Sequence, residues 1–492
     1  MGISLNPSTI LSGQGINVST LVQQIISEQS GELSVWQAQQ TTFATQDGLL
    51  DGIENNLVSL QTAVAALADP AGPLTAQAAT SSNTAVLSAT AGTTAIPGTH
   101  QIIVNSLATT GTIYTDPIAA GATTSFLATG QTTGDIQLQV GGASGTTHDI
   151  AIAQGSNDTL TTLASYINTQ STANNWGVTA SVVSDANGSR LALFSQSSGT
   201  PGALAVVANT NTTLNFDAPV GGTNASLTID GVPFSSTSNT VTGAIQGVTL
   251  SLASQLPGTP VQLTVGPDTN QITAAVNNFI SAYNTVISTI NTQYVVDPTG
   301  SIPAPPLESD LSLRSLQSSL LNDQAYAIGG NSGLVNLAAL GINENNDGTL
   351  TLGVTPADPS GVTASGQTFS QILAANPSAV LNFFQNSAGT GFANNFNTDL
   401  TNLTAPTTGP LNVDLAQNQA EQADLTTTIT NFQTQTQLET TQLTTQYDAV
   451  NASLQQYPLL LQEITETLGT LDSGTSSSGA LVSSEPTLTS GL

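Results

Sequence analysis

The sequence predicts an α+β multidomain fold: N- and C-terminal helices form a coiled-coil or helix-bundle stalk, and the middle of the chain forms β-rich domains. Three observations predict it. Apolar residues step by three and four near both ends. Between about residues 85 and 265 the step changes to two. A length of 492 residues also exceeds what one ordinary core organises.

At the N-terminus, Val18, Leu21, Val22, Ile25 and Ile26 share one helical face, with Asn17 or Ser19 as the cap. Leu50, Ile53, Leu57, Leu60, Val64 and Leu67 form a more regular seam, which Pro70, Gly72 and Pro73 end. Strands are predicted at 100–107, 135–140, 149–153, 178–184, 190–195, 225–229, 248–252 and 261–265. Asn187-Gly188 and Asp230-Gly231 read as tight hairpin turns. One helix interrupts the strands, carried by Leu160, Leu163, Ala164 and Ile167 behind an Asn157/Asp158 cap.

Helix returns with Ile272, Val276, Phe279, Tyr283, Val286 and Ile290, capped by Asp268. A proline-rich joint at 302–306 precedes a shorter helix at 311–321, a hairpin at 341–352 and a helix opened by Asn376-Pro377. The last helix carries Leu425, Ile429, Phe432, Thr436, Glu439, Leu443, Tyr447, Val450, Leu454, Tyr457, Leu461, Ile464 and Leu468 on one seam, two of them polar. Pro458 is expected to kink or split it. The Ser/Thr/Gly-rich tail after Gly469 is expected to be disordered.

Seams at both termini make a stalk if they pair, although ordinary bundle cores give the same pattern. The candidate assembly contacts are Leu21, Ile25, Leu57, Leu60, Val64, Leu425, Ile429, Phe432, Leu443, Tyr447, Val450, Leu454, Leu461 and Ile464. The expected division is a helical leg (1–40), a bundle domain in two parts (41–80 and 268–405) and a β domain in two parts (81–120 and 216–267). An inserted outer β domain with one helix (121–215), the long leg helix (406–470) and the tail (471–492) complete it.

Charge narrows the function classes. Charged residues are 7 % of the chain, against roughly 25 % in ordinary soluble proteins. Thirty-one acidic residues face two basic ones, Arg190 and Arg314, for a net charge of −29. Phosphate backbones and anionic membranes are repelled by such a chain, so neither nucleic acid nor membrane insertion is expected. Cysteine is absent, which removes disulfides and thiolate chemistry. The first twenty residues show no cleavable signal pattern, so an extracellular location requires an export route that reads none. The pI of about 4.1 fits an acidic habitat or drift in an exposed surface; the former predicts an oligomer more stable at acidic than at neutral pH.

No catalytic, cofactor or metal residues are expected, and the chain reads as a non-enzyme without cofactors. His100 and His148 flank different strands and read as surface histidines. Gly13-Gln14-Gly15 lacks the third glycine of a dinucleotide fingerprint and reads as a flexible lead-in to a helix. Asn343, Asn345, Asp347 and Gly348 mimic half a calcium loop, but Val354 stands where a bidentate Glu is needed; a hairpin turn is expected.

Several blocks resemble one family in order along nearly the whole chain. GINVSTLVQQIISEQ opens a segment at 15–67, and AVLSATAGTTAIPGTHQIIVNSLATTGTIYT occupies 85–115. ASLTIDGVPFSSTSNTVTGAIQGVTLSL (225–252) continues into TPVQLTVGPDTNQITAAVNNFISAYNTVI (259–287). LAALGINENNDGTLTL (337–352), LAANPSAVLNFF (373–384) and the helix at 425–468 follow. These are similar to the flagellar hook-associated protein 2 family of filament caps. The departures are the missing basic residues, Pro458 and the polar seam positions.

The resemblance implies a secreted, extracellular structural cap at the flagellum tip that holds exported flagellin and promotes its insertion. It implies a homo-oligomer, commonly pentameric in the family, with β domains as a plate and helices as legs. Flagellin, hook-filament junction proteins and an export chaperone are the implied partners, and the flagellar type III pathway the implied route. Joints at 70–73 and 302–306 are expected to let the legs move. The competing readings are a flagellin-like or other hook-associated subunit, and a flagellar-tip adhesin binding through 111–217.

Overall fold

The computed structural model describes residues 16–295, 297–299, 301, 303–357, 365–386 and 388–473. The expected lead-in at Gly13–Gly15 and residues 474–492 of the expected tail lie outside them; the first residues of that tail, 470–473, instead continue the last helix.

In chain order the elements are α1 (Val18–Gln29), α2 (Gly31–Ala68), β1 (Gln77–Ser81), β2 (Leu87–Ala91), β3 (Gly98–Ser106), β4 (Thr110–Tyr114), β5 (Thr133–Val140) and β6 (Thr146–Ala153). Then come α3 (Leu160–Asn174), β7 (Val178–Asp185), β8 (Gly188–Ser198), β9 (Leu204–Thr210), β10 (Ala225–Ile229), β11 (Val232–Ser236), β12 (Thr240–Ile245), β13 (Val248–Leu252) and β14 (Val261–Pro267). The remainder is α4 (Thr269–Thr292), α5 (Leu311–Gln324), β15 (Ile342–Glu344), β16 (Leu350–Leu352), α6 (Phe369–Ala375), α7 (Pro377–Phe384), α8 (Phe392–Leu403) and α9 (Pro410–Ser473). Helical ends thus flank a β middle. The chain divides into two compact units. One holds the described residues up to Ser59, Thr285–Leu320 and those from Asp399 on; the other holds Leu60–Asn284 and Leu321–Thr398.

The second unit contains two β cores. In the first, an antiparallel sheet ordered β1-β14-β3-β10-β11 faces a sheet ordered β12-β13-β2. Strict alternation along β10, β13 and β14 sends every second side chain inward, so Leu227, Leu250 and Leu263 meet in one buried cluster. Two consecutive left-handed residues, Asp230 (φ 50°) and Gly231 (φ 83°), close the expected β10–β11 hairpin.

The second β core lies between β3 and β10 in sequence. Sheets β4-β8-β7 and β6-β5-β9 bury Ile136, Leu138, Ile150 and Leu193 with Leu160, Leu163 and Ile167 of α3. The α3 cap is Thr159, which makes a reciprocal capping box with Thr162. Asn157 instead stitches the preceding turn, accepting from the Ala153 N–H and donating to the Ala151 carbonyl. Between β7 and β8 the tight turn is Ala186-Asn187, because Gly188 already pairs with Asp185. Asp268 caps α4 as expected, accepting from the N–H groups of Asn270 and Gln271. An aromatic cluster of Phe279, Tyr283, Phe383, Phe384, Phe392 and Phe396 is fully buried in the same unit.

In the helical unit, Asn17 caps α1, accepting from the Thr20 N–H. The α9 helix stays continuous through Pro458, so of the expected kink or split the split does not occur: one missing donor does not divide a 64-residue helix. Its many threonines are tolerated because hydroxyls such as those of Thr426, Thr430, Thr440 and Thr444 donate to the carbonyl four residues back.

Candidate functional site

The seams at the two termini meet. Ile16 N–H donates to Asn451 Oδ1 (2.7 Å), and Gln29 Nε2 donates to Glu439 Oε1 (3.1 Å). The Trp36 ring lies edge-on to Phe432, centroids 5.4 Å apart. Gln40 Nε2 donates to Thr426 Oγ1 (2.8 Å), Gln422 Nε2 to Asp47 Oδ2, and Asn412 Nδ2 to Glu54 Oε1 (3.2 Å). Numbers rise along α1 and α2 as they fall along α9, so the helices run antiparallel. Every one of these polar cross-links uses a neutral donor. Val18, Leu21 and Val22 are buried in the unit, with Ile25, Leu425, Phe432, Leu443 and Tyr447 half-buried and Ile429 nearly closed.

Leu57, Leu60 and Val64, expected as assembly contacts, are fully buried within a single chain. They therefore serve its own core and leave no surface for another copy. From Val450 on the situation reverses. Val450, Tyr457, Leu461, Ile464 and Leu468 are each about half exposed or more, and Leu454 is half-buried. Leu459 (66 % exposed) and Leu460 (53 %) widen the strip beyond one seam; they fall off the three-four spacing, so periodicity passed over them. Single exposed leucines need no explanation, but this run of exposed apolar side chains along one helix is more than scattered surface exposure.

The site has little positive charge. Arg314, the cation of the helical unit, lies over the Tyr294 ring at 5.5 Å and donates to the Glu308 carbonyl. Burial raises the Glu54 carboxyl above its ordinary value, Asn412 pulls it back, and Asp51 adds to the rise. Burial likewise raises Asp414, opposed by Ser312 and reinforced by Asp310. A shallow groove of about 390 Å³ runs between α2 and α9, with Phe43 and Leu425 among its lining and Glu421 and Asp424 beside them.

The remaining expected features resolve locally. His148 stacks on Trp176 (4.7 Å, 21°) and His100 Nδ1 pairs with Asp230 Oδ2 at 2.7 Å, so both rings are partnered and half-buried. The calcium-like loop is a hairpin turn: Asp347 accepts from the Thr349 N–H, and Asn345 donates to Thr349 and Thr351. Among the described residues, no helix is long and apolar enough to cross a membrane.

The family model described as "Flagellar hook-associated protein 2 C-terminus" matches 222–458, its N-terminal counterpart matches 14–111, and a "Flagellin hook IN motif" matches 135–197. The B-type flagellar hook-associated protein 2 of Pseudomonas aeruginosa is 30 % identical over 88 % of this chain and 91 % of its own length. Its counterpart in Escherichia coli K12 is 29 % identical over 69 % of this chain and 74 % of its own length. A crystal structure of the flagellar cap protein from Escherichia coli shares the fold, with TM-score 0.54, 24 % identity, and coverage of 75 % of this chain and 99 % of that one. The order of the matched segments, their span and the pairing of helical ends around a β middle have one reading: the chain belongs to the flagellar hook-associated protein 2 family, the caps of the flagellar filament.

Proposed function

We propose that copies of this chain assemble into the cap at the distal end of the flagellar filament, where they hold exported flagellin and promote its insertion. The exposed apolar strip of α9 from Val450 to Leu468 carries this reading. The antiparallel coil reaches along α9 as far as Asn451, and the strip from Val450 on offers apolar area that a second copy or a filament subunit can bury.

The work is non-covalent. A cap that moves as subunits enter must release each contact it makes, so modest interfaces suit it better than tight ones. Its partners are further copies of itself, flagellin, the hook-filament junction proteins and an export chaperone. Its place is outside the cell at the flagellum tip, reached by the flagellar type III route.

Deleting the gene tests the reading. Unpolymerised flagellin should appear in the medium and filaments should be missing, with both restored by the wild-type gene. A gene carrying Leu461→Asp and Ile464→Asp should express a folded chain that restores neither. Normal filaments in the deletion strain would reject the cap role, and full rescue by the double variant would reject the strip.

A further inference from the structure

The coil joins its helices with an unusual set of groups. Three cross-links between α1 or α2 and α9 place a carboxyl on one helix opposite a carboxamide on the other: Glu439 with Gln29, Asp47 with Gln422, and Glu54 with Asn412. A lysine in the carboxamide's place would lose its partner's charge on acidification. A carboxamide carries both an N–H donor and a carbonyl acceptor, so it can face a carboxylate or a neutral carboxyl.

The second oxygen of several carboxyls points the same way. Asp47 Oδ1, Glu54 Oε2 and Asp414 Oδ2 are buried without a hydrogen-bond partner. For Glu54 and Asp414, burial without a partner disfavours the ionised form more than the neutral one. Among the described residues, the surroundings offer no free cation to offset the cost. Asp51 faces Glu54 from its own helix, Asp310 faces Asp414 from the turn before α5, and Glu421 and Asp424 lie on α9. The Arg314 guanidinium is engaged with Tyr294 and the Glu308 carbonyl.

We propose that this coil is an acid-tolerant clasp, whose carboxyl–carboxamide pairs keep the two ends of the chain joined in either protonation state and whose buried carboxyls tighten it as the surroundings acidify. The raised values of Glu54 and Asp414 agree in sign. A raised carboxyl makes the fold bind more protons than the unfolded chain, so stability rises as pH falls through the raised value. The gain levels off below the ordinary carboxylate value.

The two tryptophans provide the test, because Trp36 sits in the coil and Trp176 in the second β core. In a full-length Trp176→Phe background, Trp36 fluorescence follows urea unfolding at pH 7.5 and pH 5.0 in 0.5 M sodium chloride, where general repulsion is screened to within about 4–5 Å. The urea midpoint should rise by about 0.3–1 M on acidification. Glu54→Gln should raise the pH 7.5 midpoint and shrink the rise. Replacing Gln29, Gln422 and Asn412 by lysine should give a midpoint that falls on acidification. In the converse Trp36→Phe background, Trp176 should report no comparable rise. A wild-type coil midpoint that falls at pH 5.0, or a rise that Glu54→Gln leaves unchanged, overturns the proposal. So does a rise seen only without salt, which would assign the effect to net charge.

Discussion

The β cores and the long C-terminal helix treat apolar side chains in opposite ways. In the first β core, Ile102, Val104, Leu227, Leu250 and Leu263 have no exposed surface. Among the described residues of α9, only Leu411 and Ile429 are buried, and large apolar groups past Val450 stand in solvent. The β cores close within one chain. The helix has more apolar surface than its own chain covers, which is what a subunit needs and a self-contained domain avoids.

The largest effect that tests this contrast is Leu250→Ala. Leu250 lies on the central strand β13, in register with Val241 on β12 and Ala89 on β2. Losing its packing should cost about 2–5 kcal/mol. Chemical unfolding of the two chains measures it, and a loss below 1 kcal/mol would mean this core is loosely packed.

Gly247→Ala should come next. This glycine closes the β12–β13 hairpin at φ 70°, and an added Cβ would stand 2.5 Å from the Ala95 nitrogen. The left-handed conformation alone costs about 1–2 kcal/mol for an L-residue, and the close approach adds to it. Gly231→Ala, also left-handed at φ 83° but with open space around it, is the control and should cost less. Equal thermal shifts for the two would remove the steric part of the argument.

Leu461→Ala should leave unfolding of an isolated chain within about 0.5 kcal/mol of wild type, because its side chain is 53 % exposed. Its effect should appear only in association, as a shift toward smaller species in sedimentation. Together with Leu250→Ala it separates surface kept for partners from surface spent on the fold; a large loss of chain stability would place Leu461 with the core instead.

The same division decides what was legible in the sequence. The strands read from periodicity include the central members of all four larger sheets: β14, β3 and β10, then β13, β8 and β5. Their alternation is strong because neighbours on both sides hold them over a core. The strands passed over, β1, β2, β4, β9, β11 and β12, all lie at sheet edges. Edge positions such as LSATA in β2 or TGTIY in β4 tolerate Ala, Thr and Gly, so they read as loop. The seams of the coil were legible, and so were the turn at Asp230-Gly231 and the cap at Asp268. The carboxamide cross-links were not: Asn412 lies 358 residues from Glu54, and no local spacing encodes that pair.

The smallest effect probes charge, where the two regions should again differ in sign. In the β unit, Asp230 accepts from the His100 ring and the Gln101 N–H, and these bonds hold its carboxyl below the ordinary value. A depressed carboxyl contributes stability above the ordinary carboxylate value, and that contribution is lost as pH falls through it toward the depressed one. Asp230 is about half exposed, so solvent screening limits the contribution to about 0.5 kcal/mol or less. Asn tolerates the same left-handed backbone, which lets Asp230→Asn remove the charge and keep the turn. The variant should therefore be slightly less stable than wild type at pH 7, by a gap that narrows as pH falls below the ordinary carboxylate value, measured by urea midpoints at low protein concentration. A gap that does not narrow with acid would show that the Asp230 side chain works through shape and hydrogen bonding. The opposite pH senses of the β hairpin and the coil would then need another origin.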